Sequence, residues 1–204
     1  MKRKKLERLI AQIPDYENPK IEYEQYTIPP ALAADIVWIA ETKYRDISGK
    51  LVIDLGCGTG RLTVAAALMG ARQVIGIDLD YEAVNQAKNS LTQLFLKLSN
   101  IDLVCADAFM PPIARPCDTV VENPPFGVHK KGYDVSMLKA AAEMGGVIYT
   151  IHKSSTANYI ENFIKKQLRK NLELIYTAKI PIPPIYPFHA KPRHEVEVHI
   201  YRVT

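Results

Sequence analysis

From residue 51 onward, short apolar runs alternate with stretches in which apolar residues recur every three or four positions. The short runs predict strands, and the periodic stretches predict helices. The predicted strands are Leu51–Ile53, Val74–Ile77, Ile101–Val104, Asp118–Val121, Val147–Ile151, Leu172–Ile180 and Val196–Val203. The predicted helices include Leu62–Met69, Asp80–Phe95 and Thr156–Leu168. Strands that alternate with helices predict a parallel sheet covered by helices on both faces.

The two ends of the chain depart from this alternation. The first 48 residues predict helices only. One helix ends before Pro14, a polar stretch follows through Tyr26, and a second helix opens at Pro29-Pro30 and runs through Trp38. Near the other end, a proline-rich run (180–184) stands between the last two strands, where no helical pattern is present. We therefore expect those two strands to form an antiparallel pair.

Composition limits the classes of protein to which the chain can belong. Of the 204 residues, 48% are hydrophobic and 24% charged, which is ordinary for a globular chain of one domain (1–204). The net charge of +4 allows a polyanionic partner without requiring one. Cys57, Cys105 and Cys117 form no C-x-x-C pair, so we expect no metal site and a reducing, cytoplasmic compartment. No apolar run approaches the roughly 18 residues of a membrane span, so we expect no membrane association.

A glycine-rich turn follows the first predicted strand. Its glycines, Gly56, Gly58 and Gly60, let the backbone approach a ligand closely, and the helix that follows offers unpaired N–H groups. The spacing matches neither the G-x-G-x-x-G dinucleotide motif nor the phosphate-binding loop, because Arg61 stands directly after Gly60. Asp54 at the strand end favours a cationic amino-acid head group over a pyrophosphate.

Acidic residues also follow the next two strands. Asp78 lies where a carboxylate would hold ribose hydroxyls, and Asp107 is placed to meet an adenine amine. With Asp54 they resemble the S-adenosyl-L-methionine site of class I methyltransferases. That resemblance implies this cofactor and a doubly wound, seven-stranded, mostly parallel, Rossmann-like α/β sheet with an N-terminal helical extension. The alternative is a tight glycine turn with aspartates that only cap helices.

A second motif, Asn123-Pro124-Pro125-Phe126, follows the fourth predicted strand. It resembles the (N/D)PP(Y/F) motif of amino-methyltransferases. The lone pair of an exocyclic adenine amine is delocalised into the ring, so an acceptor pair that draws on its two hydrogens frees the nitrogen for attack. Asn123 offers a side-chain carbonyl and Pro124 a backbone carbonyl, held stiff by Pro125. Phe126 offers a face on which an extruded base can stack. The alternative is a rigid Pro-Pro turn.

Several activities remain open at this point. Enzymes with this motif methylate adenine in nucleic acids or the amide nitrogen (N5) of a glutamine in translation release factors, where a tyrosine usually ends the motif instead of Phe126. DNA adenine methyltransferases usually carry a target-recognition domain, for which 204 residues leave little room. A non-catalytic binding module is disfavoured by the intact Asp54, Asp78 and Asn123. The glycine spacing disfavours an NAD-dependent oxidoreductase.

Nearly the full chain is similar to a methyltransferase-like family that modifies an adenosine (N6) of small-subunit ribosomal RNA. The similarity is carried by Glu24-Gln25-Tyr26, the Asp54–Gly60 turn, Ile77-Asp78, Asn100-Ile101-Asp102, Asn123–Gly127, His152–Thr156 and Phe188-His189. It implies an N-terminal segment (1–48) that contributes to the cofactor site of a catalytic core (49–204). The implied cofactor contacts are Gln25, Ile28, Gly56, Thr59, Arg61, Asp78, Asp107 and Ala108, with main-chain contacts at Thr59 and Arg61. At Ile28, which lacks the family's hydroxyl, a backbone contact is expected.

The resemblance also implies a protein partner, and the loops suggest where RNA is held. Eukaryotic members of the family need a small zinc-binding activator protein that pairs with an edge strand, for which Ile101–Val104 is the candidate. His129, Lys130 and Lys131 follow the motif, and Lys153 ends the fifth strand. All four are candidate contacts to the phosphates that flank a target base. The alternatives are an ordinary solvated loop and, after Lys153, serines that only cap a helix.

Overall fold

The computed structural model of the chain describes residues 1–94, 98–113, 115–126, 132–182 and 194–204. Within these ranges the helices are Arg3–Ile10 (α1), Pro30–Thr42 (α2), Arg61–Leu68 (α3), Tyr81–Gln93 (α4), Tyr133–Glu143 (α5) and Ala157–Lys166 (α6), with short 3₁₀ helices at Ile21–Tyr23 and Ser154–Thr156. The strands are Leu51–Leu55 (β1), Gln73–Asp78 (β2), Ile101–Cys105 (β3), Thr119–Glu122 (β4), Val147–Lys153 (β5), Leu172–Ile182 (β6) and His194–Val203 (β7). No helix in the described part of the chain has the length and apolar character needed to span a bilayer.

The seven strands form one sheet in the order β3-β2-β1-β4-β5-β7-β6. The pairs among β1 to β5 are parallel, and β7 is antiparallel to both of its neighbours. This confirms the predicted doubly wound, mostly parallel sheet and the antiparallel pair at its end. The reversed strand is last in the chain but lies inside the sheet, so β3 and β6 are the edges.

Two hydrophobic layers cover the sheet, and strand residues alternate between them. Val52 and Val121 pack with α1, α2 and α3 on one face. Their neighbours Ile53 and Val120 pack with α5 and α6 on the other face. Because successive strand side chains point to opposite faces, strands buried on both sides consist of continuous apolar runs, as the sequence pattern required.

Helix α2 and strand β5 extend beyond their predicted ends, and one further helix was not predicted from the sequence. Helix α2 continues past Trp38 to Thr42, because Ala40 is buried and the Glu41 carboxylate accepts a hydrogen bond from the Ser48 amide. Strand β5 continues to Lys153, because β7 pairs with it up to Val198. Helix α5 was not assigned from the sequence. Its apolar residues surround much of the helix, so no single apolar stripe marks it.

Candidate active site

The sheet order brings the two predicted motifs together. The chain moves outward from β1 through β2 to β3, then returns to β4 on the other side of β1, so the direction of winding reverses between β1 and β4. Ligands of open α/β sheets bind beyond the carboxyl ends of the strands at such a switch point. Leu55 of β1 lies opposite Glu122 of β4. The glycine turn and the Asn123 motif therefore leave the sheet side by side.

The glycine turn is fixed by hydrogen bonds to β2. The amides of Gly56 and Cys57 both donate to the Ile77 carbonyl, at 2.8 and 2.9 Å. Gly58 has a φ of +53°, and its amide donates to Asp78 Oδ2 at 2.8 Å. A Cβ at Gly58 would collide with the hydroxyl of Tyr16, which lies against the turn. Only glycine fits there, so the turn presents bare backbone to the space above it.

Asp54, at the start of the glycine turn, is deeply buried, with 1% of its surface exposed. The Thr63 hydroxyl donates to its Oδ2 at 2.5 Å, whereas its Oδ1 has no hydrogen-bond partner among the described residues. Burial raises the pKa of Asp54 to about 7. The buried Thr59 hydroxyl also lacks a partner. A buried acceptor left unpaired is costly, so these two atoms fit a ligand that brings donors and positive charge.

The other two strand-end carboxylates have partners in the backbone. Asp78 accepts from the Gly58 amide through Oδ2 and from the Asp80 amide through Oδ1, at 2.8 and 2.9 Å. Burial raises the pKa of Asp78 above its usual range, although these bonds oppose the rise. Asp107 Oδ1 accepts from the Phe109 amide at 2.8 Å, which fixes the turn after β3.

A single cavity collects most of the predicted residues. It encloses about 960 Å³ of empty space, including the solvent at its mouth. The predicted cofactor residues that line it are Gln25, Ile28, Asp54, Gly56, Gly58, Thr59, Arg61, Asp78, Asp107 and Ala108, together with Asn123 and Pro125 of the second motif. Gly60, Pro124 and Phe126 do not line it. His129, Lys130 and Lys131 lie outside the described residues.

Two of the predicted cofactor residues also hold the N-terminal segment over the cavity, at several points. Arg61 donates to the Ile13 carbonyl at 2.7 Å and to the Ile28 carbonyl at 2.8 Å. The Gln25 side chain accepts from the Lys20 amide at 2.7 Å and donates to Asp80 Oδ2 at 2.8 Å. The side chain of Arg61 is therefore used within the protein, which agrees with an expected main-chain contact there. The Ile28 carbonyl is likewise engaged, which leaves its amide for such a contact.

Two tyrosines of this segment contact the motifs without having been predicted to: Tyr16 lies against Gly58, and Tyr26 lies against Asn123. Both line the cavity, as does Tyr23. The Tyr26 hydroxyl donates to Asn123 Oδ1 at 2.6 Å, and its ring stacks on Phe126 with centroids 5.3 Å apart. The Lys153 ammonium lies 5.3 Å from the Phe126 centroid. Aromatic residues that recur in an otherwise polar stretch were the available signal for both tyrosines.

Behind Asn123, on the α5 face of the sheet, lies a buried polar cluster. Thr150 Oγ1 is 2.9 Å from His152 Nε2, and His152 Nδ1 is 3.7 Å from Asp134 Oδ2. Burial lowers the pKa of His152. Glu122 is 1% exposed, and neither of its carboxylate oxygens has a well-formed hydrogen bond within the described residues. Burial raises the pKa of Glu122 to about 8, although the Thr150 hydroxyl lowers it in part.

Glu122→Gln should therefore make the protein more stable, and more so at high pH. A carboxyl whose pKa is raised by folding contributes stability that is complete below its unfolded pKa and is lost as pH rises toward about 8. Glutamine has no such loss. In thermal unfolding we expect the variant to exceed the wild type by roughly 2–8 °C at pH 8 and by little at pH 5.

The matched control is Glu143→Gln, on the exposed surface of α5. It should change the melting temperature little at either pH. An equal shift for Glu122→Gln at both pH values would show that burial does not perturb this carboxyl.

Fold and site together define a class I methyltransferase: a seven-stranded sheet with β7 reversed, a glycine turn after β1, and an N-P-P-F motif after β4 at the switch point. Residues 39–179 match the methyltransferase small domain family, and the chain belongs to that family.

The chain is also similar to proteins along its whole length. It is 34% identical to the rRNA N(6)-adenosine-methyltransferase METTL5 of Danio rerio, over 100% of this chain and 99% of that protein. It is 35% identical to the Mettl5 protein of Drosophila melanogaster with the same description, over 99% and 96%. The crystal structure of the Pyrococcus horikoshii protein PH1948 superposes with a TM-score of 0.88 at 32% identity, covering 100% of this chain and 98% of that one.

Proposed function

We propose that this methyltransferase modifies the N6 amine of an adenosine in small-subunit ribosomal RNA, with S-adenosyl-L-methionine as its cofactor. The observation that carries the proposal is the position of Asn123, which lines the same cavity as Asp54 and the glycine turn. A methyl donor and an amine acceptor must meet within a few ångströms for transfer to occur. Full-length relatives described as rRNA N(6)-adenosine methyltransferases support the substrate.

The residues around the cavity fit the cofactor. The unpaired Asp54 Oδ1 suits a cationic amino-acid end, and the unpaired Thr59 hydroxyl supplies a further polar contact. Asp78 is placed to hold ribose hydroxyls, and Asp107 with Ala108 to hold an adenine ring. S-adenosylmethionine supplies an electrophilic methyl group on a sulfonium when bound.

The catalytic work of the chain is the orientation of the target amine. The carbonyl oxygens of Asn123 and Pro124 accept its two hydrogens, which favours a pyramidal nitrogen with its lone pair free. No base is needed before transfer, because the amine becomes acidic only as the new bond forms. Phe126, whose ring stacks on Tyr26, remains a proposed support for the base, and Lys153 beside it is placed to contact a flanking phosphate. His129, Lys130 and Lys131 remain proposed phosphate contacts.

The substrate assignment is tested with cofactor that carries a radiolabelled methyl group. The protein is incubated separately with small-subunit rRNA, large-subunit rRNA, duplex DNA and a translation release factor. We expect label in the small-subunit rRNA, recovered as N6-methyladenosine after nuclease digestion. Label confined to DNA or to the release factor would overturn the RNA assignment, and label confined to large-subunit rRNA would overturn the subunit.

We also propose that the protein acts in the cytoplasm. As its partner we propose a small zinc-binding activator protein that docks on β3. Among the described residues strand β3 pairs with β2 alone, so its other edge offers main-chain groups to an added strand. Amide hydrogen exchange should slow in β3 when such an activator is added, and should not change in β6, the opposite edge. Protection of β6 in place of β3 would contradict this docking.

A further inference from the structure

Tyr26 connects the cofactor side of the cavity with the Asn123 motif. It is 8% exposed and lies between two attachment points of the segment, Gln25 on Asp80 and Ile28 on Arg61. Its hydroxyl donates to Asn123 Oδ1 at 2.6 Å, across 97 positions of sequence. Its ring stacks on Phe126 at an interplanar angle of 29°. One side chain therefore contacts both ends of the N-P-P-F motif.

The hydroxyl contact decides which end of the Asn123 amide is presented. The oxygen and the NH₂ group of an asparagine side chain have nearly the same shape, so rotation by 180° exchanges an acceptor for two donors. If the NH₂ group were turned toward the target amine, two donors would face each other and no hydrogen bond could form. Burial raises the pKa of the Tyr26 phenol, so it stays protonated and remains a donor. A carbonyl oxygen has two lone pairs, and one remains for the substrate.

We propose that Tyr26 is a positioning residue for methyl transfer, whose hydroxyl holds the Asn123 carbonyl toward the target amine while its ring supports Phe126. The proposal rests on the proposed function, in which Asn123 accepts from the amine. It adds that the N-terminal segment organises the catalytic motif as well as the cofactor cavity. Since Gln25 and Ile28 flank Tyr26, the contacts that fix these two residues also fix Tyr26 and, through its hydroxyl, the orientation of Asn123.

Tyr26→Phe removes the hydroxyl and keeps the ring stacked on Phe126. Loss of one hydrogen bond should lower kcat about tenfold. The Kd for S-adenosylmethionine, measured by calorimetry, and the KM for RNA should stay within about twofold. The matched control is Tyr149→Phe, since the Tyr149 hydroxyl is also 2.6 Å from its acceptor, Asp46, and Tyr149 is 1% exposed. Tyr149 does not line the cavity, so this variant should keep the wild-type kcat.

A spectroscopic measurement tests the contact independently of activity. In protein labelled with ¹⁵N-asparagine, the side-chain amide signals of Asn123 are identified by their absence in Asn123→Ala. Tyr26→Phe should shift or broaden those signals, and Tyr149→Phe should not. If RNA proves not to be the substrate, the amide signals still report whether Tyr26 holds Asn123, and kcat is measured with the acceptor that is methylated.

A double-mutant cycle completes the test. In the Asn123→Ala background, Tyr26→Phe should lower kcat no further, because the group that it positions is gone. The proposal is overturned by unchanged Asn123 signals in Tyr26→Phe. It is also overturned by a kcat within twofold of wild type, by an equal loss in Tyr149→Phe, or by strictly additive effects in the cycle.

Discussion

Asn123→Ala should lower the turnover of methyl transfer by roughly 10²–10³, the usual cost of losing one preorganised polar contact in an active site. Asn123 lines the cavity close to Tyr26 and does not belong to the glycine turn, so the Kd for S-adenosylmethionine should change less than about twofold. Single-turnover rates with saturating cofactor separate the chemical step from binding. Asn123→Asp keeps a carbonyl oxygen and should therefore retain more activity than the alanine variant.

Asn162→Ala is the matched control for this substitution. The Asn162 side chain lies on the surface of α6 and donates to the Asn158 carbonyl at 2.8 Å. Its loss should leave turnover and cofactor affinity as in the wild type. Full activity in Asn123→Ala would show that the proposed polarisation of the amine is wrong. A large loss of cofactor affinity would instead assign Asn123 to the cofactor site.

Much of the fold and the position of the site could be predicted, because both follow from local pattern. Strands β1 to β5 are short, largely apolar runs, and the candidate residues of the catalytic core lie at or just after the ends of strands. The carboxyl ends of parallel strands share one edge, so Asp54, Asp78 and Asn123 had to lie at the same edge of the sheet. Sequence pattern does not specify strand order, however. The adjacency of β1 and β4, which makes Asn123 a neighbour of the glycine turn, comes from the structure.

The contacts that the sequence analysis missed are long-range. Tyr26 reaches Asn123 across 97 positions, and Arg61 reaches Ile13 across 48. No local pattern encodes such pairs, and Tyr16 and Tyr26 lie in a stretch of sequence that is typical of a polar linker. The main-chain role expected for Arg61 required only its place in the glycine turn. Its buried side chain also bonds to the N-terminal segment, and this contact depends on where the segment returns to the sheet.

Asp54→Asn should raise the Kd for S-adenosylmethionine about 10²-fold at pH 8, since truncating one partner of a buried charged contact costs about 2–5 kcal/mol. Burial raises the pKa of the Asp54 carboxyl to about 7 in the free protein. A cationic ligand favours the ionised form, so wild-type binding should release a proton and tighten as pH rises from 6 to 8. Calorimetry in buffers of different ionisation enthalpy counts that proton. The variant should release none from this position.

The same substitution should stabilise the free protein, and this separates a charge effect from misfolding. Wild-type stability due to Asp54 is complete below its unfolded pKa of 3.8 and is lost as pH rises toward about 7, so the variant's advantage in melting temperature should grow between pH 5 and pH 8.

Asp80→Asn is the control. Although burial raises the pKa of Asp80, hydrogen bonds from Lys20 and Gln25 bring it below its usual value, so Asp80 is ionised throughout this range. The Asp80→Asn substitution should therefore leave the pH dependence of cofactor binding unchanged. The amino group of the cofactor titrates near the same pH, but it is common to every variant. A pH dependence of binding in Asp54→Asn as steep as in the wild type would therefore belong entirely to the ligand, and Asp54 would lose its assigned role.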